Sequence, residues 1–168
     1  MSITLYTATV PTCTRALNNL AAILEKAAAH AQVRKIDPAV LVNTRLFPDM
    51  FPLATQIHIA NDIAQGGAAR LAGAEVPAFE AKERSLPEWI AATRGSVAYL
   101  ESLKPAQFEG SEDRNVTWQT RSSTKNMQGT PYLFHHVLPN VFFHVTTAYD
   151  ILRQAGLEIG KLDYLGRA

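Results

Sequence analysis

The residues best suited to do chemistry in this chain are two histidines and the polar groups spaced around them. His144 stands in the segment Pro139-Asn140-Val141-Phe142-Phe143-His144-Val145-Thr146-Thr147-Ala148-Tyr149. There Val137, Val141, His144, Ala148, Ile151 and Ala155 recur at the alternating steps of three and four that mark one face of an α-helix. That places His144 on the face turned to the core. A polar group there requires a partner, since burying it unpaired is costly. Three roles stay open: a core histidine satisfied by a neighbouring hydroxyl, carboxylate or carbonyl, a metal ligand, or a small-molecule contact or acid/base group. Asn140 lies one turn earlier, just after Pro139, and either joins His144 as a ligand or satisfies a local backbone group. Thr147 and Tyr149 carry hydroxyls that a cavity ligand could use.

The second histidine, His58, sits one position past the apolar stripe of another helix, turned about 100° from its centre. Thr55, His58, Asp62 and Gln65 share one polar wedge, flanked on its far side by Ile59 and Ile63. Such a wedge lines an internal cavity or forms an exposed polar face; the pattern alone allows both. Asp62, one turn from His58, would add a carboxylate. His135 and His136 point in different directions, so at most one of them joins a site. No nucleophile elbow, phosphate loop or Cys–His pairing is visible.

The elements that must position these residues are read from periodicity and punctuation. A first long helix spans about residues 5 to 30, on Val10, Cys13, Leu17, Leu20, Leu24, Ala27 and Ala31. Asp37-Pro38 opens a short helix from Ala39 to Arg45, with Asp37 as N-cap. A second long helix runs on Met50, Leu53, Ile57, Ala60, Ala64 and Leu71. Its Gly66-Gly67 pair weakens it and would let another backbone come close. Arg45 and Asp49 read as a charge pair bracing the bend at Pro48. Ser85 and Glu88 form a capping box that starts a third helix, closed by Lys104-Pro105. Asn115 to Thr120 alternates like a strand, and Tyr132-Leu133-Phe134 could pair with it across the Ser122–Gly129 loop. The last helix ends at Gly156, and the apolar tail at residues 160–166 should dock on the body.

The chain has 168 residues, 47% hydrophobic and 18% charged, which suits one domain over residues 1–168. A formal net charge of +1 implies no basic face, so nucleic acid is not an expected partner. The single cysteine, Cys13, lies on the apolar stripe of the first helix and reads as a core thiol, fitting a reducing compartment. No basic segment followed by an apolar run opens the chain, and no apolar stretch approaches the ~20 residues needed to span a bilayer. A cytoplasmic protein without membrane contact is the expectation.

Taken together, Arg45-Leu46-Phe47-Pro48-Asp49-Met50, Gln56 through Asp62, Arg70-Leu71-Ala72-Gly73, Pro139 through Tyr149 and Gly160-Lys161-Leu162-Asp163-Tyr164-Leu165-Gly166 resemble an uncharacterised family of bacterial and fungal proteins, catalogued only as a domain of unknown function. That family is similar in fold to the DinB/YfiT-like superfamily of proposed metalloenzymes. The resemblance covers essentially the whole chain. It implies an all-α, up-down four-helix bundle, a homodimer, and a site of three histidines holding a divalent metal. His58 matches the second-helix ligand and His144 the second histidine of the fourth-helix H-x-x-x-H pair. Asn140 stands where the first would be, and a neutral amide is a poor ligand for Zn or Ni beside two imidazoles. Asp62 could restore a two-histidine, one-carboxylate set. The expectation is a DinB-like bundle binding a divalent transition metal through His58 and His144, which would activate a water or thiol if the protein is catalytic. The alternative is a non-enzymatic small-ligand-binding or dimeric interaction bundle whose metal site is lost.

Overall fold

A computed structural model describes residues 3–80, 82–120 and 122–166. The described chain is mostly helical, with one two-stranded antiparallel sheet. In order it forms α1 (Leu5–Arg34), α2 (Pro38–Asn43), α3 (Leu53–Ala72), α4 (Leu86–Ser102), a 3-10 turn (Pro105–Phe108), β1 (Asn115–Gln119), β2 (Thr124–Gln128), α5 (Gly129–Tyr132), a π-helical turn (Leu133–Val137), α6 (Leu138–Gln154) and α7 (Lys161–Leu165). None of its helices is long and apolar enough to cross a membrane.

The apolar stripes read from the sequence become the core. Leu17, Leu20 and Leu24 of α1 meet Leu53, Ile57 and Leu71 of α3, Leu86 and Leu100 of α4, and Val141 and Ile151 of α6, all fully buried. Helix α1 packs on α4 and α6, and α3 packs on α6 and α4. Cys13 is fully buried, and burial pushes its thiol up to about 12, so it is an inert core group.

Local signals set most helix ends. The Thr4 hydroxyl accepts from the Thr7 amide at 3.2 Å and the Thr7 hydroxyl accepts from the Thr4 amide at 2.9 Å, which caps α1. Lys35 then closes it in the left-handed region, with φ of 55°. The helix runs past residue 30 because Ala31 still packs into the core. Asp37 caps α2 by accepting from Ala39 at 2.9 Å. The Glu88 carboxylate accepts from the Ser85 amide at 2.7 Å and hydroxyl at 2.6 Å, so the capping box forms as read. Gly156, with φ of 91°, follows the end of α6.

The hairpin is the main departure. β1 pairs with β2 at residues 124–128, in the stretch expected to be loop, while Tyr132-Leu133-Phe134 is helical. Thr-Lys-Asn-Met-Gln of β2 is exposed at every position, so no alternation of burial marks it in the sequence. The Thr120 amide donates to the Ser123 carbonyl at 2.8 Å and closes the turn. The tail docks as expected: Arg15 Nε donates to the Leu165 carbonyl at 2.9 Å and Asn19 Nδ2 to the Tyr164 carbonyl at 2.9 Å. Arg45 donates to the Met50 carbonyl across the bend at Pro48.

The glycine pair of α3 does receive close neighbours, but these are side chains. A Cβ on Gly67 would stand 2.7 Å from both methyls of Val137, in the π-helical turn leading into α6. One on Gly66 would stand 2.7 Å from the Arg70 guanidinium, which folds back along α3 and donates to the Tyr132 hydroxyl at 3.4 Å. Gly67 therefore sets how closely α3 and α6 approach. On the neighbouring flank, Asn61 Nδ2 donates to the Thr93 hydroxyl at 3.2 Å and Gln65 Nε2 to the Ser96 hydroxyl, which ties α3 to α4.

Candidate functional site

His144 is buried in the α3–α6 seam, with 9% of its surface exposed. Its Nδ1 lies 2.7 Å from Gln56 Oε1, and Gln56 Nε2 donates to the Phe51 carbonyl at 3.1 Å. The second bond orients the amide, so Oε1 must accept from His144. The imidazole therefore carries its proton on Nδ1. Burial holds its pKa below the usual histidine value, which keeps the ring neutral. Asn140 is turned to its own helix, where Nδ2 donates to the His136 carbonyl at 2.6 Å. The Thr147 hydroxyl donates to the Phe143 carbonyl at 2.8 Å, and the Tyr149 ring packs edge-on against Tyr164, with centroids 6.0 Å apart. Each of these groups on α6 has a structural neighbour.

His58 occupies a different place. It projects from α3 against Phe79 and Trp89, with ring centroids 5.3 and 6.5 Å apart. Its Nδ1 is buried without a hydrogen-bond partner among the described residues. Burial lowers its pKa and Arg84 lowers it further, while Asp62 pulls in the opposite direction. Asp62 itself is exposed. Residues two apart on a helix are turned about 200°, so Gln56 and His58 leave α3 on opposite flanks, one to α6 and one to α4.

The donors expected for a shared ion therefore diverge. A divalent metal needs ligand atoms at about 2 Å from one point, and the His144 ring lies toward Gln56 on α6's side of α3 while His58 lies toward Trp89. Asn140 is committed to its backbone. Among the described residues, no group of three His, Cys, Asp or Glu side chains is placed to hold a metal. The residues present do not fit the three-ligand centre of the superfamily.

Instead the structure places His58 on the wall of a cleft of about 1260 Å³ between α2, the first turns of α3 and the start of α4. Val42, Phe51, Ile59, Leu86 and Trp89 supply its apolar lining, and Thr55 and His58 bring polar groups from α3. The polar wedge of α3 is thus split: Thr55 and His58 face the cleft, Asp62 faces solvent and Gln65 is buried against α4. Trp89 sits one turn past the Ser85 capping box, so that local signal delivers it to the cleft. Arg84, just before the cap, lies over both Phe79 and Trp89, 5.1 and 4.8 Å from the ring centroids. Neither Gln56 nor the Phe79–Arg84–Trp89 box was legible as part of a site. Their partners come from distant stretches, and only Gln56, one residue before Ile57, hinted at a polar flank opposite His58.

No curated protein matches the chain. The crystal structure of a DinB family member protein from Shewanella denitrificans is similar to it, with a TM-score of 0.90 and 40% sequence identity, over 98% of this chain and 93% of that one. A family model, the domain of unknown function DUF1993, matches residues 5–165. With five separated motifs and the helical frame in place, the chain belongs to the DUF1993 family and is DinB-like in fold.

Proposed function

We propose that this protein is a small-molecule-binding bundle, built up-down from α1, α3, α4 and α6, whose ligand enters the cleft beside His58. The observation that carries this reading is the cleft itself. It joins an apolar lining to a few polar groups and to a half-buried histidine, the combination expected of a ligand site. His58, held neutral near pH 7 by burial, offers a hydrogen bond or a proton acceptor to that ligand. A homodimer belongs to the same proposal, since Phe47, Phe142 and Phe143 leave apolar surface exposed.

The competing reading, a divalent metal shared by His58 and His144, has less support because His58 and the Gln56 that holds His144 leave opposite flanks of α3. One pair of measurements separates the two. The neutral fluorophore phenylnaphthylamine should bind saturably, at about one per chain, and Ala54→Trp, which fills the cleft from α3, should abolish that binding. Protein purified without a histidine tag should hold less than about a tenth of an equivalent of any transition metal after supplementation. Absence of saturable binding, or binding indifferent to Ala54→Trp, would overturn the cleft reading. Near-stoichiometric Zn or Ni, lost in both His58→Ala and His144→Ala, would install the metal reading in its place.

A further inference from the structure

The charges around the cleft differ in how they are already engaged. Asp37 accepts from the Ala39 amide and sits at the positive end of α2. Lys82 pairs with Glu80 at 3.3 Å, and both side chains are well exposed. Glu83 is exposed at the rim. Glu88 holds the Ser85 amide and hydroxyl, which closes the start of α4 to any other anion. Arg84 is the exception. Its Nη1 donates to the Glu80 carbonyl at 2.9 Å, its guanidinium lies over the Phe79 and Trp89 rings, and none of the ion pairs among the described residues uses it, although after the Ser85 hydrogen bonds its charge helps lower the Glu88 pKa.

A guanidinium held by one backbone bond and two aromatic rings keeps N–H donors along the edge that Glu80 does not use. That edge matches a carboxylate, which accepts two parallel hydrogen bonds from an arginine fork. Because the fork is already oriented, little side-chain freedom is lost when the anion arrives. The same cation disfavours a second positive charge over the Trp89 face. Beside it lies an apolar lining that wants a hydrocarbon or aromatic body, and His58 stands at the same wall. Resting on the cleft reading above, we infer that the ligand is an amphipathic carboxylate: an apolar body laid on Val42, Phe51, Ile59, Leu86 and Trp89, with its carboxylate paired to Arg84.

Hydrocinnamate and its neutral amide, matched in shape, test this on the full chain by titration calorimetry. The acid should bind at least about tenfold tighter than the amide, the scale of a charge-assisted hydrogen bond. Arg84→Gln should bring that ratio close to one. Rising potassium chloride should weaken the acid and spare the amide in the unmodified protein, a readout that does not depend on the variant folding. Equal affinities for acid and amide would overturn this inference and leave the cleft reading standing. An acid preference that survives in folded Arg84→Gln would overturn the assignment to Arg84. If hydrocinnamate, its amide and phenylnaphthylamine all fail to bind, the cleft reading falls and this inference with it.

Discussion

The two histidines sit on opposite flanks of one helix's reach, and their surroundings could hardly be less alike. His144 is closed into the α3–α6 seam by Gln56, which is in turn fixed by the Phe51 carbonyl. His58 is half-buried in an aromatic box at the edge of a cleft, with a nitrogen that nothing among the described residues satisfies. A buried polar group with a complete set of partners contributes to stability and specifies packing. A ring at a cleft edge whose buried nitrogen lacks a partner contributes less to the fold. The difference separates a histidine fixed in a seam from one at the edge of a cleft, although the family resemblance implied one shared metal for both.

The largest expected effect is on the closed side. His144→Ala should destabilise the fold by about 2–4 kcal/mol, since it leaves Gln56 Oε1 buried without its donor and opens a void. Gln56→Ala should cost a comparable amount, and the double variant should cost clearly less than the sum, because the two side chains share one interaction. Urea denaturation gives all three values. Strict additivity would break the comparison by showing that the pair is not coupled.

An intermediate effect concerns acidity. His58, His136 and His144 all have pKa values below the ordinary 6.5, each chiefly through burial. In the unfolded chain they take protons first as pH falls through that value, so the unfolded state is favoured and stability drops. Above it, both states are neutral at these groups and the full stability is present. The urea midpoint should therefore be lower at about pH 5.5 than at about pH 7.5, and His144→Gln should flatten part of that slope. A midpoint that does not move, or that rises toward acid, would contradict the burial of these rings.

The smallest stability effect belongs to the open side. His58→Ala should change the unfolding free energy by less than about 1 kcal/mol, as expected where no buried partner is orphaned. It should nevertheless weaken phenylnaphthylamine or hydrocinnamate binding several-fold. A loss of stability equal to that of His144→Ala, with ligand affinity unaltered, would erase the distinction between the two regions.

Much of the frame was legible. The long helices, the capping box at Ser85 and Glu88 and the stop at Gly156 all follow from short-range signals, and so does the inward face of His144. The second strand was not legible, because an all-exposed hairpin partner leaves no periodic trace. The periodicity of α3 shows its polar wedge, but one helix carries no information on whether the wedge meets a cavity or solvent. It does both, residue by residue.

What the chain determines by itself is which faces are apolar and where helices begin and end, since those depend on neighbours three or four residues away. It determines that His144 must be buried and that His58 must flank a stripe. Only the tertiary structure decides what each ring meets. Gln56 reaches His144 across 88 residues of chain, and Trp89, Arg84 and Phe79 arrive at His58 from a separate loop and helix. Partner choice depends on how α3 lies between α4 and α6, a matter of packing distance set at positions such as Gly67, and no local period carries that information.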